Sequence, residues 1–180
     1  MINFKSKIEQ VVLGYLLLNP EEELYVNEMS NRFNVNRGNL TKKLSEWEKE
    51  GIVIKTNRGN LSLYRINSNY YLLPELKKIA QKSFGIEKKL KNALSETKGL
   101  KSAFIFGSYA KDAMEAESDI DLFLVGSHKA IEVEEKIIDI EKEAGREINI
   151  VDMTEKEFNE KKKTNDFLKN VLSNKIIQII

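Results

Sequence analysis

The chain has 180 residues, enough for one medium domain or two small ones. At 41% hydrophobic and 32% charged residues it reads as a globular protein with a heavily charged surface. It has no cysteine and one histidine, His128, which excludes disulfides, thiolate metal sites and multi-histidine zinc sites. No apolar run approaches the ~20 residues of a membrane span, and the start MINFKSKIEQ lacks the apolar stretch of a secretory signal. No membrane partner and a cytoplasmic location are the expectations. The net charge of +1 hides an asymmetry. Residues 1–100 carry 17 Lys and Arg against 11 Asp and Glu, whereas residues 101–180 carry 12 against 17. A basic half beside an acidic half points to two modules with different partners.

Ile8, Val11, Val12, Tyr15 and Leu16 repeat at the spacing of a one-sided helix, which Asn19-Pro20 stops. A short second helix fits Val26, Met29 and Phe33. Asn34-Val35-Asn36 reads as a tight turn, with Asn36 as N-cap of a third helix that turns Leu40, Leu44 and Trp47 inward and ends at Gly51. The runs IVIKT and LSLYRIN around NRGN read as a β-hairpin. This order resembles that of winged helix–turn–helix DNA-binding domains, assigned here to residues 1–70. Under that resemblance the start of the third helix enters the major groove of double-stranded DNA. Arg37, Asn39, Thr41, Lys42 and Lys43 are the candidate DNA-binding residues there, and Arg58, with Lys55 and Arg65, would reach phosphates from the wing.

Residues 71–98 read as a helical connector with a break at Gly85. From 99 to 180 the elements alternate. AFIFG is a strand and SYAKDAMEAE is helix-compatible. DIDLFLV is a strand, and AIEVEEKIIDIEKEAG a charged helix marked by Ile131 and Ile138. EINIV is a strand, EKEFNEKKKTNDFLKNVL one helix, and IIQII a last strand. The fold class expected is therefore two-domain α/β (α+β), with a mixed sheet in the C-terminal domain. His128 is expected in a solvent-exposed loop, and Lys161-Lys162-Lys163 on a solvated helix face.

The chemistry sits at Asp119 and Asp121. Two apart on a strand, they face one side with Cα atoms ~6.6 Å apart. At that spacing two ionised carboxylates repel by about 2–3 kcal/mol at an effective dielectric of 20. A divalent cation reverses that sign, and Mg²⁺ (or Mn²⁺) takes one or two carboxylates together with phosphate oxygens. Gly107-Ser108 ends the preceding strand. Gly107 allows close approach of a phosphate to backbone N–H groups at a helix start, and the Ser108 hydroxyl can donate to it. A phosphate cradle beside a metal-binding pair is a triphosphate site.

The run GSYAKDAMEAESDIDLFLV resembles the Gly-Ser…(Ser)-Asp-x-Asp signature of the DNA polymerase β-type nucleotidyltransferase superfamily, closest to its minimal nucleotidyltransferase branch. The resemblance covers about residues 101–151. It implies a nucleoside triphosphate (NTP) substrate, Asp119 and Asp121 as catalytic metal ligands, and Gly107, Ser108 and Ser118 as nucleotide-binding residues. It also implies a third carboxylate on the neighbouring strand, where this chain has Asn149. Glu147 is displaced along that strand, and Asp152 falls on its other face. Asp112 stands where such motifs often have glycine. The layout implies Mg²⁺-dependent transfer of a nucleoside monophosphate to a hydroxyl, coupled to DNA binding. The alternative is a DNA-binding regulator, or an antitoxin, with a weakened nucleotide-binding domain. A protein acceptor or toxin is then the partner, and a homodimer is an open expectation.

Overall fold

The computed structural model describes residues 6–115 and 118–180, which divide into two units, Met1–Gly85 and Ile86–Ile180. The first unit opens with a π-helical turn, Glu9–Leu13, running directly into α1, Gly14–Leu18. A two-residue strand β1, Leu24–Tyr25, precedes α2, Val26–Arg32, and α3, Arg37–Lys49. Asn36 caps α3, its side chain accepting the Asn39 N–H at 3.0 Å. Leu40, Leu44 and Trp47 are buried, as the helical spacing requires. β2, Val53–Arg58, and β3, Leu61–Ile66, form the antiparallel hairpin, and β1 adds to its free side in the order β1-β3-β2. β1 is too short to leave a periodic signal.

The stretch read as a connector is divided between the units. α4, Leu73–Ser83, buries Leu73, Leu76 and Ala80 in the core of the first unit, together with Phe84. α5, Ile86–Leu94, belongs to the second. Gly85 makes the break. A Cβ there would overlap the Gln81 backbone, and its N–H closes the turn onto the Ala80 carbonyl at 2.6 Å.

The second unit is built on a four-stranded mixed sheet in the order β6-β5-β4-β7. β4 is Leu100–Phe106, β5 Ile120–Gly126, β6 Ile148–Met153 and β7 Ile177–Gln178. β5 runs antiparallel to β4 and parallel to β6, and β7 runs antiparallel to β4. The crossover between the parallel strands is α7, Ala130–Ala144, which packs against α5. Its buried stripe is Val133, Ile137, Ile140 and Ala144; Ile131 and Ile138, which marked it in the sequence, lie on its outer side. The carboxyl-terminal run forms two helices rather than one, α8, Glu155–Lys161, and α9, Asp166–Ser173. Asn165, in extended conformation, caps α9 by accepting the Leu168 N–H at 3.0 Å, which ends helical continuity. Phe158 of α8 and Leu168 and Val171 of α9 pack with Phe104, Phe106, Phe123 and Val125. No helix among the described residues is long and apolar enough to cross a membrane.

Candidate active site

β4 delivers its chain to the site through a short turn. The stretch after it, expected to be helical, holds only one helical turn, α6, Gly107–Ala110. Asp112 follows with φ +56°, the left-handed conformation glycine adopts most easily, which accounts for the glycine common at that position in similar motifs. The Asp112 carboxylate accepts from Lys175 at 2.8 Å. Four residues carry little macrodipole, so a phosphate cradle here rests on backbone N–H groups and on Gly107 itself. Gly107 has φ +72°, and a Cβ on it would overlap Asp121 Oδ2. Only glycine lets this turn lie against that carboxylate.

The sheet register gathers the remaining groups. Phe106 pairs with Asp121 across β4 and β5, and Asp121 pairs with Asn149 across β5 and β6. Asp119 lies one residue before β5. Its Oδ2 accepts a hydrogen bond from Asn149 Nδ2 at 3.1 Å. Asp119, Asp121 and Asn149 thus converge at one end of one sheet face, whose continuation is the aromatic layer under α8 and α9. Burial, and then the Asp119 charge, raise the pKa of Asp121 above the ordinary carboxylate value. Among the described residues no group of three or more His, Cys, Asp or Glu side chains gathers in a metal-holding arrangement. A pair of repelling oxygen donors beside a backbone-lined turn fits a hard divalent cation that arrives with phosphate oxygens.

Neither carboxylate near Asn149 in sequence replaces it. Glu147 is exposed and uses its carbonyl to accept the Ile120 N–H at 2.9 Å. Asp152 pairs with Leu124 in the ladder and lies 3.3 Å from His128 Nε2. The His128 side chain is 1% exposed, which corrects the expectation of an exposed loop residue. Ser118, expected at the nucleotide, accepts the Glu115 N–H on Oγ at 2.8 Å, and Ser118 N–H in turn donates to the Glu115 carbonyl at 3.2 Å. Arg146, which the sequence reading passed over, is buried and donates from Nη1 to the carbonyls of Glu115 at 3.3 Å and Ser118 at 3.2 Å. A lone arginine in Gly-Arg-Glu gave no periodic signal from which a role could be read.

In the first unit Arg37, Asn39, Thr41 and Lys42 are exposed on the opening turns of α3, with Thr41 Oγ1 donating to the Arg37 carbonyl at 2.9 Å. Lys43 is held back: Nζ lies 2.7 Å from Glu46 Oε2 and 3.4 Å from Oε1 of Glu9, whose side chain is fully buried. Arg58 and Arg65 both pair with Glu23, at 2.7 and 3.6 Å, while Lys55 is exposed. Lys161 and Lys163 are exposed on and beyond α8, and Lys162 is half-buried.

The family model described as Polymerase beta, Nucleotidyltransferase matches residues 88–178. The chain belongs to this nucleotidyltransferase family. Its matched span begins within α5 and ends at β7, so it takes in the whole sheet and both helices of the aromatic face. Among solved structures, a toxin–antitoxin with AMP-PNP is 18% identical, with a TM-score of 0.39 over 53% of this chain and 73% of that one. The transcriptional regulator BldR from Sulfolobus solfataricus is 15% identical, with a TM-score of 0.38 over 53% and 71%. The archaeal chromatin protein TrmBL2 is 17% identical, with a TM-score of 0.28 over 94% and 79%. These are partial likenesses and add nothing to the family assignment. No curated protein matches the chain.

Proposed function

We propose that the nucleotidyltransferase domain binds an NTP with a divalent cation and transfers its nucleoside monophosphate slowly to a hydroxyl acceptor. The observation that supports this most directly is the convergence of Asp119, Asp121 and Asn149 beside Gly107. Asp119 and Asp121 would hold Mg²⁺ or Mn²⁺, which supplies charge neutralisation on the phosphates. Gly107 and Ser108 would seat the triphosphate, and Ser118, bonded to Glu115, would help hold Asp119 in place. In the reaction the acceptor oxygen forms a bond to the α-phosphorus, the bond to pyrophosphate breaks, and the hydroxyl proton passes to water or to a basic group of the acceptor. Asn149 cannot take that proton, because an amide is neutral and not basic. Its Nδ2–H instead bonds Asp119, which spends part of a metal ligand on a neutral donor. A missing general base typically costs about 10²–10⁴-fold, so turnover in this domain is slow or depends on a group from the acceptor. The test is transfer of labelled nucleotide from each NTP, with Mg²⁺, to cell extract. Transfer should vanish in Asp119→Ala/Asp121→Ala and rise in Asn149→Asp. Transfer that persists in the double variant overturns the reading.

A second reading concerns the first unit, where Arg37, Asn39, Thr41 and Lys42 stand exposed at the start of α3 ahead of the β2–β3 hairpin. We propose that this unit is a winged helix that binds double-stranded DNA, so that the chain acts as a regulator or antitoxin whose second domain senses nucleotide or meets a protein partner. Operator binding with a steep salt dependence is the expected result. Weak, unselective binding, unchanged in Lys42→Ala, counts against it.

A further inference from the structure

Asp119 lies outside the strand that carries Asp121. The β5–β6 ladder begins at Ile120, paired with Ile148, so ladder hydrogen bonds fix Asp121 but stop short of Asp119. Two bonds from one dipeptide bracket Asp119 instead. On its amino side the Ser118 carbonyl accepts from Arg146 Nη1 at 3.2 Å, and on its carboxyl side the Ile120 N–H donates to the Glu147 carbonyl at 2.9 Å. The same Arg146 nitrogen also reaches the Glu115 carbonyl at 3.3 Å, and Glu115 and Ser118 are tied to each other by two reciprocal hydrogen bonds. Arg146 is only 8% exposed. A buried guanidinium is costly unless its donors are used, and charge-assisted bonds to carbonyls are stronger than neutral ones.

We infer that Arg146 is a positioning residue that sets the place of Asp119 for a bound cation. The inference rests on the proposal that Asp119 and Asp121 hold a divalent metal. It assigns the metal's outer support to the segment between α7 and β6, one dipeptide away from the strand that carries Asn149. Arg146 touches neither metal nor substrate; it acts through the Ser118 carbonyl on the residue that follows. Lysine at 146 keeps the charge but lacks the planar fork and its reach, so it substitutes in part.

The experiment follows thermal unfolding of the full chain while Mg²⁺ is titrated against a fixed mixture of the four NTPs. Wild type, Asp121→Asn, Arg146→Lys, Arg146→Met and the remote core variant Ile140→Val are compared. Loss of an outer-shell partner typically weakens metal affinity about 10–100-fold. The Mg²⁺ midpoint should therefore move up by roughly that factor in Arg146→Met, and by less in Arg146→Lys. Ile140→Val should lower the Tm and leave the midpoint in place. A midpoint unchanged in both Arg146 variants, with the wild-type response intact and lost in Asp121→Asn, overturns the inference alone. A wild type without any Mg²⁺ response overturns it together with the metal-site proposal. If neither Arg146 variant folds, Ser118→Ala, which removes the Oγ that accepts the Glu115 N–H, carries the test. A several-fold higher midpoint supports the inference, and an unchanged one overturns it.

Discussion

The two units handle charge in opposite ways. In the first, Lys43 sits between Glu46 and the buried Glu9, and Arg58 and Arg65 share Glu23. Cations that the sequence offered to DNA are thus partly engaged by carboxylates of their own unit. In the second, Asp119 and Asp121 stand at one end of one sheet face, with an amide as the hydrogen-bond donor to Asp119. Burial and the Asp119 charge then raise the pKa of Asp121. A paired charge is part of a scaffold. A like-charged pair, one member set by register and the other just outside the strand, is a defect for folding alone, and a ligand of opposite charge would relieve it.

Breaking the defect gives the largest expected effects. Asn149→Asp should raise labelled nucleotide transfer by about 10²–10⁴-fold, the usual worth of a general base, and Asp119→Ala/Asp121→Ala should reduce it to background. Next in size is the loss of a pairing. Lys43→Ala removes the ion pair of buried Glu9 with Lys43, and chemical denaturation should register a loss of about 1–3 kcal/mol. Its salt slope for DNA should change little. The hydrogen bond to Glu46 also raises the Lys43 pKa, so this contribution persists through neutral pH and is lost only as pH rises through the raised value.

Asp121→Asn sharpens the contrast in the other direction. Because the folded pKa of Asp121 is raised, the metal-free fold is favoured while this carboxyl is protonated. That contribution is present below the ordinary carboxylate pKa and is lost as pH rises through the raised value. At neutral pH without metal, Asp121→Asn should therefore melt higher than wild type, by roughly 1–3 °C for a chain of this size. The gap should close in acid, and scanning calorimetry across pH reads both results. The smallest effect is expected at Lys42, exposed on α3. Lys42→Ala should lower the slope of log affinity for double-stranded DNA against log salt by about 1, with stability unchanged.

Most of the elements were legible because their signals are local. The Asn36 cap, the spacing of Leu40, Leu44 and Trp47, and the turn between β2 and β3 each lie within a few residues of what they determine. One local signal was missed: Thr164-Asn165 looked like the inside of a helix, yet the Asn165 side chain caps α9. Elsewhere reading failed where a distant partner decides. The residues after α6 have helical composition, but the left-handed Asp112 and its bond to Lys175 end the helix. His128 looked like loop surface, yet its side chain is buried beside Asp152.

The sequence by itself determined that an apolar strand ends in Gly107-Ser108, that a second run carries Asp121 two residues after Asp119, and that a third strand carries Asn149. Strand alternation and apolar patterning were enough for that, and the resemblance to nucleotidyltransferases alone supplied the expectation of a carboxylate at the position of Asn149. Only the tertiary structure decided that Asn149 bonds Asp119, that the Asp121 carboxylate fills the space a Gly107 side chain would need, and that Arg146 holds the carbonyl before Asp119. The contact of Gly107 with Asp121 depends on the antiparallel pairing of β4 with β5, and the other two on parallel register and the crossover through α7, which joins residues 30 and 28 positions apart that no local pattern connects.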